Sequence, residues 1–265
     1  MQMQALIKNI PNSMTTAGFC AGLTGIYFIF NNQYKHAVLA VFAAGVIDTF
    51  DGALARLLKT RSDVGMQLDS LSDLVCFGVV PALTMYAWTT SSAGLLGWAV
   101  LLVYCSCAIW RLSAFNVHSS RVDPSATEHG FFYGIPTPAA AGLLFLPLIC
   151  TIETGQNIFR NPYFNICVQV LVSCFMISRM PTLSFKRAAT NRKFRYLCSL
   201  LVLVFIVISI VQSIWAAFIM LGIVYITSIP FGIIIAGREN RTAVLSVTGE
   251  RDEEEQRSSG TPLNF

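Results

Sequence analysis

Eight apolar runs, at about 14–31, 36–58, 66–88, 94–116, 136–152, 163–178, 196–212 and 214–236, leave this chain few folds to choose from. A segment of roughly 20 apolar residues is long enough to cross the hydrocarbon of a bilayer. Inside hydrocarbon a backbone must satisfy its own N–H and C=O groups, and a helix does so within one segment. The expected fold is therefore an all-α integral membrane protein, a polytopic bundle of about eight transmembrane helices. Charge content agrees: 12% of the 265 residues are charged and 54% are hydrophobic, where an average soluble domain carries about 25% charged residues.

The basic residues orient the runs, because cytoplasmic loops collect Lys and Arg while exported loops do not. With the N-terminus cytoplasmic, only Lys35 and Arg160 of the eighteen Lys and Arg residues fall on the exported side. Eight spans with both termini cytoplasmic are consistent with that asymmetry. The formal net charge of +4 follows from the same bias and points to an anionic membrane leaflet, not to nucleic acid. All eight Cys lie in or beside apolar runs with no C-x-x-C pair, so neither a disulfide framework nor a zinc site is expected.

Three regions follow from the pattern. Residues 1–13 are expected as an N-terminal interfacial segment that turns into the membrane at Pro11, residues 14–237 as the transmembrane domain, and residues 238–265 as a disordered cytoplasmic tail, polar and without periodicity. The first run is not expected to be a cleavable signal peptide: its positive flank is Lys8 alone, and no small-residue cleavage site follows.

Against this apolar background stand four acids, in DTFDGALARLLKTRSDVGMQLDSLSD at 48–73. Asp48 and Asp51 are spaced i,i+3 and Asp69 and Asp73 i,i+4, so each pair shares one helix face. Consecutive spans run antiparallel, which brings the pairs to one depth beside a cytoplasmic turn. At 1.5 Å per residue, Asp51 lies roughly 10 Å from the end of its helix, within reach of both cytosol and lipid. Clustered carboxylates in a low dielectric need protons or cations to neutralise them. Oxygen-only ligands favour Mg²⁺, Mn²⁺ or Ca²⁺, and two such ions would balance four charges as a clamp for phosphoryl displacement. Gly52 beside Asp51 permits close approach of a ligand, and Arg56 one turn on is a phosphate partner or a snorkelling anchor. Asp63 is expected to be solvated in the connecting turn.

The run Asp48-x-x-Asp51-Gly52-x-x-Ala55-Arg56, eight residues, then Gly65-x-x-x-Asp69-x-x-x-Asp73 resembles the signature of the CDP-alcohol phosphotransferase family at every fixed position. IPNSMTTAGFCAGL at 10–23, SLSDLVCFGVVPAL at 70–83, RLSAFNV at 111–117, YGIPTPAAAG at 133–142 and SRMPTLSF at 178–185 are similar to its phosphatidylserine synthase branch. The resemblance implies transfer of a phosphatidyl group from CDP-diacylglycerol to L-serine, with release of CMP. It implies that Asp48, Asp51, Asp69 and Asp73 hold two Mg²⁺ or Mn²⁺ ions and that Asp73 is also the general base. By the same resemblance Asn12, Thr15, Gly52, Ala55, Arg56 and Gly65 line the CDP-lipid pocket, and the protein is a homodimer in the cell membrane with its active site facing the cytoplasm.

Serine differs from a phosphorylated acceptor by presenting a carboxylate and an ammonium, so a bidentate cation is expected at its site. Arg111 and Arg179 stand at the matching depth, with a positive-inside anchoring role as their alternative. Glycerol 3-phosphate, inositol phosphate and choline are the alternative acceptors. Two other classes fit less well. An intramembrane prenyltransferase places its acid pairs far apart in sequence, whereas 17 residues separate Asp51 from Asp69. A divalent-cation transporter wants its acids near mid-bilayer.

Overall fold

The computed structural model describes residues 2–58, 60, 62–121, 132–178, 181–182, 204, 207 and 212–229. Among them the chain is helical: α1 Gln2–Phe30, α2 Tyr34–Leu57, α3 Asp63–Trp88, α4 Leu95–Arg121, α5 Thr137–Thr154, α6 Pro162–Ile177 and α7 Ile214–Ile229. Five of these are long and apolar enough to cross a membrane; α6 and α7 are apolar but shorter. The apolar runs at 163–178 and 214–236 thus coincide with short helices, and the run at 196–212 lies almost wholly outside the described residues. The non-helical exception is a pair of two-residue antiparallel strands, β1 Phe132–Tyr133 and β2 Pro181–Thr182, with Phe132 opposite Thr182.

One expectation about α1 is corrected. Pro11 lies inside a continuous helix and does not turn the chain. A proline inside a helix removes one backbone donor at a cost of about 3 kcal/mol, and the long apolar stretch after it carries the helix on to Phe30. Asp63 likewise opens α3 instead of lying in the turn. Ser62 caps this helix, its Oγ accepting from the Gly65 N–H at 3.1 Å, and Asp63 stands exposed in the first turn, where a negative charge complements the helix dipole.

Small residues set how closely the first three helices pack. A Cβ on Gly22 would collide with the Cys76 Sγ and stand 3.3 Å from the Ala44 Cβ, so the absence of a side chain lets α1 lie directly on α2 and α3. Close approach of this kind replaces the hydrophobic drive that lipid does not supply between helices. It also fixes the height at which Asn12 and Thr15 of α1 meet the acids of α2 and α3.

Immediately after Asp73, α3 passes through a π-helical stretch, Leu74–Val79, before Pro81 resumes the α-helical ladder. Pro81 has no N–H to give the Phe77 carbonyl. The buried Tyr104 hydroxyl of α4 donates to that oxygen instead, at 3.1 Å. A widened turn of this type re-aims the side chains on either side of it and is frequent beside functional sites. Below it, Val38, Val80, Met85, Leu144, Phe145 and Ile149 are fully buried and form the centre of the core.

At the end of the bundle that carries the α2–α3 turn, Gly134 (φ 76°) lets the chain enter α5 against the carbonyls of Phe175, Met176 and Ser178. Strands β1 and β2 extend that contact. At the opposite end, the Ser213 Oγ donates to the Glu153 carboxylate at 2.6 Å, and α7 lies along the bundle with Phe218 stacked on Phe42 at 3.8 Å between ring centroids. The seven described cysteines are free.

Candidate active site

The two acid pairs meet as helix geometry requires. Oxygens of Asp48 and Asp51 from α2 and of Asp69 from α3 lie within 4.8 Å of one another. Asp73, one turn further along α3, lines the same cleft together with Thr15, Gly18, Ser72, Cys76 and Phe77. Three of the four acids therefore share one point, and the fourth stands beside it. Among the described residues the Oδ2 of Asp51, a side chain 3% exposed, is buried without a hydrogen-bond partner.

Magnitudes say what this cluster requires. Two like charges at 4 Å repel by about 4 kcal/mol at an effective dielectric of 20. Three such pairs amount to on the order of 10 kcal/mol, as large as the whole stability of a typical domain. A single hydrogen bond, worth about 1 kcal/mol, cannot offset that. The donor set consists of carboxylate oxygens, one of them buried and unpaired, and this fits a hard divalent cation.

Helix α1 closes one side of the cleft. Thr15 is buried against Asp51, and its hydroxyl also donates to the Pro11 carbonyl at 3.1 Å. Asn12 approaches α3 so closely that a Cβ on Gly65 would stand 2.8 Å from the Asn12 Oδ1; a larger residue at 65 would push α1 away from the acids. Gly52 has the opposite surroundings. Among the described residues a Cβ there meets nothing within 4 Å, so space is open beside Asp51. Ala55 is half-buried, and Arg56 is exposed in the last turn of α2.

Arg111 of α4 reaches the same region. It is half-buried, its Nη1 donates to the Thr137 Oγ1 at the start of α5, and its guanidinium interacts electrostatically with Asp73. Its Nε is buried without a partner among the described residues. Arg179 lies outside the described residues, so the structure places only one of the two expected carboxylate readers. Sequence reasoning did not single out Ser70, whose hydroxyl links α3 to the Asn116 Oδ1 of α4 at 3.0 Å, nor Thr137. The signal for Thr137 was its place in YGIPTP, directly after the turn that seats α5.

The family model for CDP-alcohol phosphatidyltransferase matches residues 8–182, a stretch that holds all four acids. The chain is 37% identical over 176 residues to the CDP-diacylglycerol–serine O-phosphatidyltransferase of Mycobacterium leprae (strain TN), covering 66% of this chain and 58% of that protein. It is 30% identical over 222 residues to the protein of the same name from Helicobacter pylori (strain ATCC 700392 / 26695), covering 83% of this chain and 89% of that one. With the Bacillus subtilis (strain 168) protein of that name it shares 32% identity over 182 residues, 69% of this chain and 94% of the relative. The aligned region thus spans less than two thirds of the mycobacterial relative and most of the other two.

Proposed function

The chain belongs to the CDP-alcohol phosphatidyltransferase family, and from that premise we propose that it transfers the phosphatidyl group of CDP-diacylglycerol to the hydroxyl of L-serine, releasing CMP and forming phosphatidylserine. The observation that carries the reading is the meeting of the Asp48, Asp51 and Asp69 oxygens within 4.8 Å around an unpaired buried oxygen of Asp51. The shared name of the relatives supports serine as acceptor.

In the reaction a bond forms between the serine oxygen and the β-phosphorus of the CDP-lipid, and the bond from that phosphorus to CMP breaks. Asp48, Asp51, Asp69 and Asp73 would hold two Mg²⁺ or Mn²⁺ ions, with Ca²⁺ the third candidate. Bound there, divalent ions would supply positive charge to screen the diphosphate and the charge on the leaving CMP. Asp73 takes the hydroxyl proton, which a neutral serine cannot lose unaided near pH 7. Gly52 leaves space for the CDP group beside Asp51, with Asn12, Thr15, Ala55, Arg56 and Gly65 around it. Arg111 receives the serine carboxylate, with Arg179 as the second candidate.

The same reading places the acids at the cytoplasmic face of the cell membrane, in a bundle of eight spans with both termini inside. Acyl chains then stay in lipid while serine enters from water. It also includes assembly as a homodimer and a tail of which residues 240–265 are dispensable for activity. Purified protein supplied with CDP-diacylglycerol and Mn²⁺ is expected to release CMP with L-serine and to leave glycerol 3-phosphate, inositol phosphate and choline unused. CMP release with one of those and not with serine contradicts the acceptor assignment and leaves the carboxylate chemistry standing.

A further inference from the structure

Three contacts clamp the start of α5 to the end of α6 and the chain beyond it. The Ile135 N–H donates to the Phe175 carbonyl at 3.2 Å. Gly134 lies so close that a Cβ there would stand 2.5 Å from the Met176 carbonyl oxygen. Tyr133 pairs with Pro181 between β1 and β2. Pro136 and Pro138 then flank Thr137 with φ angles fixed by their rings. Thr137 opens α5 as a fully buried, β-branched side chain with few rotamers, and its Oγ1 accepts from the Arg111 Nη1.

Two other contacts set Arg111 beside the acids. Ser70 of α3 bonds Asn116 of α4 at 3.0 Å, and a Cβ on Gly78 of α3 would stand 3.2 Å from the Ala108 Cβ of α4. They bracket Asp73 on one helix and Arg111 on the other, and they agree on a single antiparallel register. In it Asp73 is level with about residue 113 of α4, roughly 3 Å along the axis from Arg111. The guanidinium therefore lies at the depth of Asp73, and Thr137 meets it there from α5.

A guanidinium offers five N–H donors in a rigid plane, so its value for recognition depends on how that plane is turned. The bond to Thr137 takes Nη1, the end on the Cδ side, while Nε is buried without a partner among the described residues. The Nε–H and one N–H of Nη2 run parallel along the opposite edge, a fork that takes both oxygens of a carboxylate. A buried unpaired donor is costly, and a carboxylate bound at that edge removes the cost.

We propose that Thr137 is a positioning residue of the acceptor subsite: by holding Nη1 from the clamped start of α5, it keeps the Nε edge of Arg111 turned to the carboxylate of an amino-acid alcohol. The inference rests on the phosphatidyl-transfer reading above. It adds which edge of Arg111 binds and what fixes that edge, and it leaves the CDP-lipid end of the site alone.

The test uses the full-length protein and steady-state CMP release. Thr137→Val keeps the shape of the side chain and removes the acceptor; it is expected to raise the KM for serine about fivefold, the equivalent of one hydrogen bond, with kcat and the KM for CDP-diacylglycerol unchanged. Thr137→Ala, which removes the acceptor by truncation, carries the same expectation, and Thr137→Ser, which restores it, is expected to bring the serine KM back. Loss of folded protein lowers the rate at every substrate concentration and leaves both KM values in place, so misfolding does not imitate the effect. An unchanged serine KM in the Val and Ala variants, an equal rise in the KM for CDP-diacylglycerol, or a serine KM that stays high in Thr137→Ser overturns the proposal while the wild-type serine activity stands. A wild-type chain that releases CMP with a carboxylate-free alcohol and not with serine overturns both this subsite and the reading it rests on.

Discussion

Asp73→Asn is expected to lower serine-dependent CMP release by at least about a thousandfold, within the range that a positioned general base supplies. The substitution changes one oxygen for an NH₂ of nearly equal size, so packing beside Ser72 and Cys76 in the cleft is little disturbed. What disappears is the ability to accept the hydroxyl proton as the bond to phosphorus forms. The carboxylates of Asp48, Asp51 and Asp69 remain within 4.8 Å of one another, so CDP-diacylglycerol binding is expected to survive in part. The check is CMP release together with retention of radiolabelled CDP-diacylglycerol. A variant within about tenfold of wild type, near 1.4 kcal/mol in barrier, shows that Asp73 is not the base.

Asp51→Asn is expected to have a comparable effect by another route, and its sign can be read without activity. Asp51 is the most enclosed of the three clustered acids and carries the unpaired buried oxygen. Removing its charge deletes two of the three repulsive pairs in the cluster. With divalent ions chelated, the variant is therefore expected to melt above wild type, because only protons are then left to offset that repulsion. With Mn²⁺ added, wild type gains stability by binding the ion to its folded state and the variant gains little. A thermal melt in detergent, with and without Mn²⁺, reads both arms. A variant stabilised by Mn²⁺ as strongly as wild type shows that Asp51 is no ligand.

Much of this site was legible because it is local. Asp48, Asp51, Asp69 and Asp73 sit on two consecutive helices joined by a short turn, so helical periodicity and antiparallel packing suffice to bring them together. Gly65 was legible as part of a pattern, though its physical reason, the approach of Asn12, belongs to tertiary packing. Pro11 misled the reading, because proline marks a turn only where its lost hydrogen bond is not outweighed by an apolar helix continuing beyond it. The π-helical turn after Asp73 leads into Pro81 and is bonded by the Tyr104 hydroxyl of another helix, and no spacing within 63–88 encodes that partner. Thr137 was hidden for the same reason: it meets Arg111 from a distant part of the chain. Of the helices, the five longest matched their apolar runs, because length and hydropathy alone decide them.

The most direct test of the central claim, that the aspartate cluster works as a divalent-cation centre for phosphatidyl transfer, is CMP release by purified protein in excess EDTA followed by return of Mn²⁺ or Mg²⁺. The account predicts that CDP-diacylglycerol and L-serine yield no CMP under EDTA and that activity returns once either ion exceeds the chelator. Full CMP release in the continued presence of excess EDTA would contradict it.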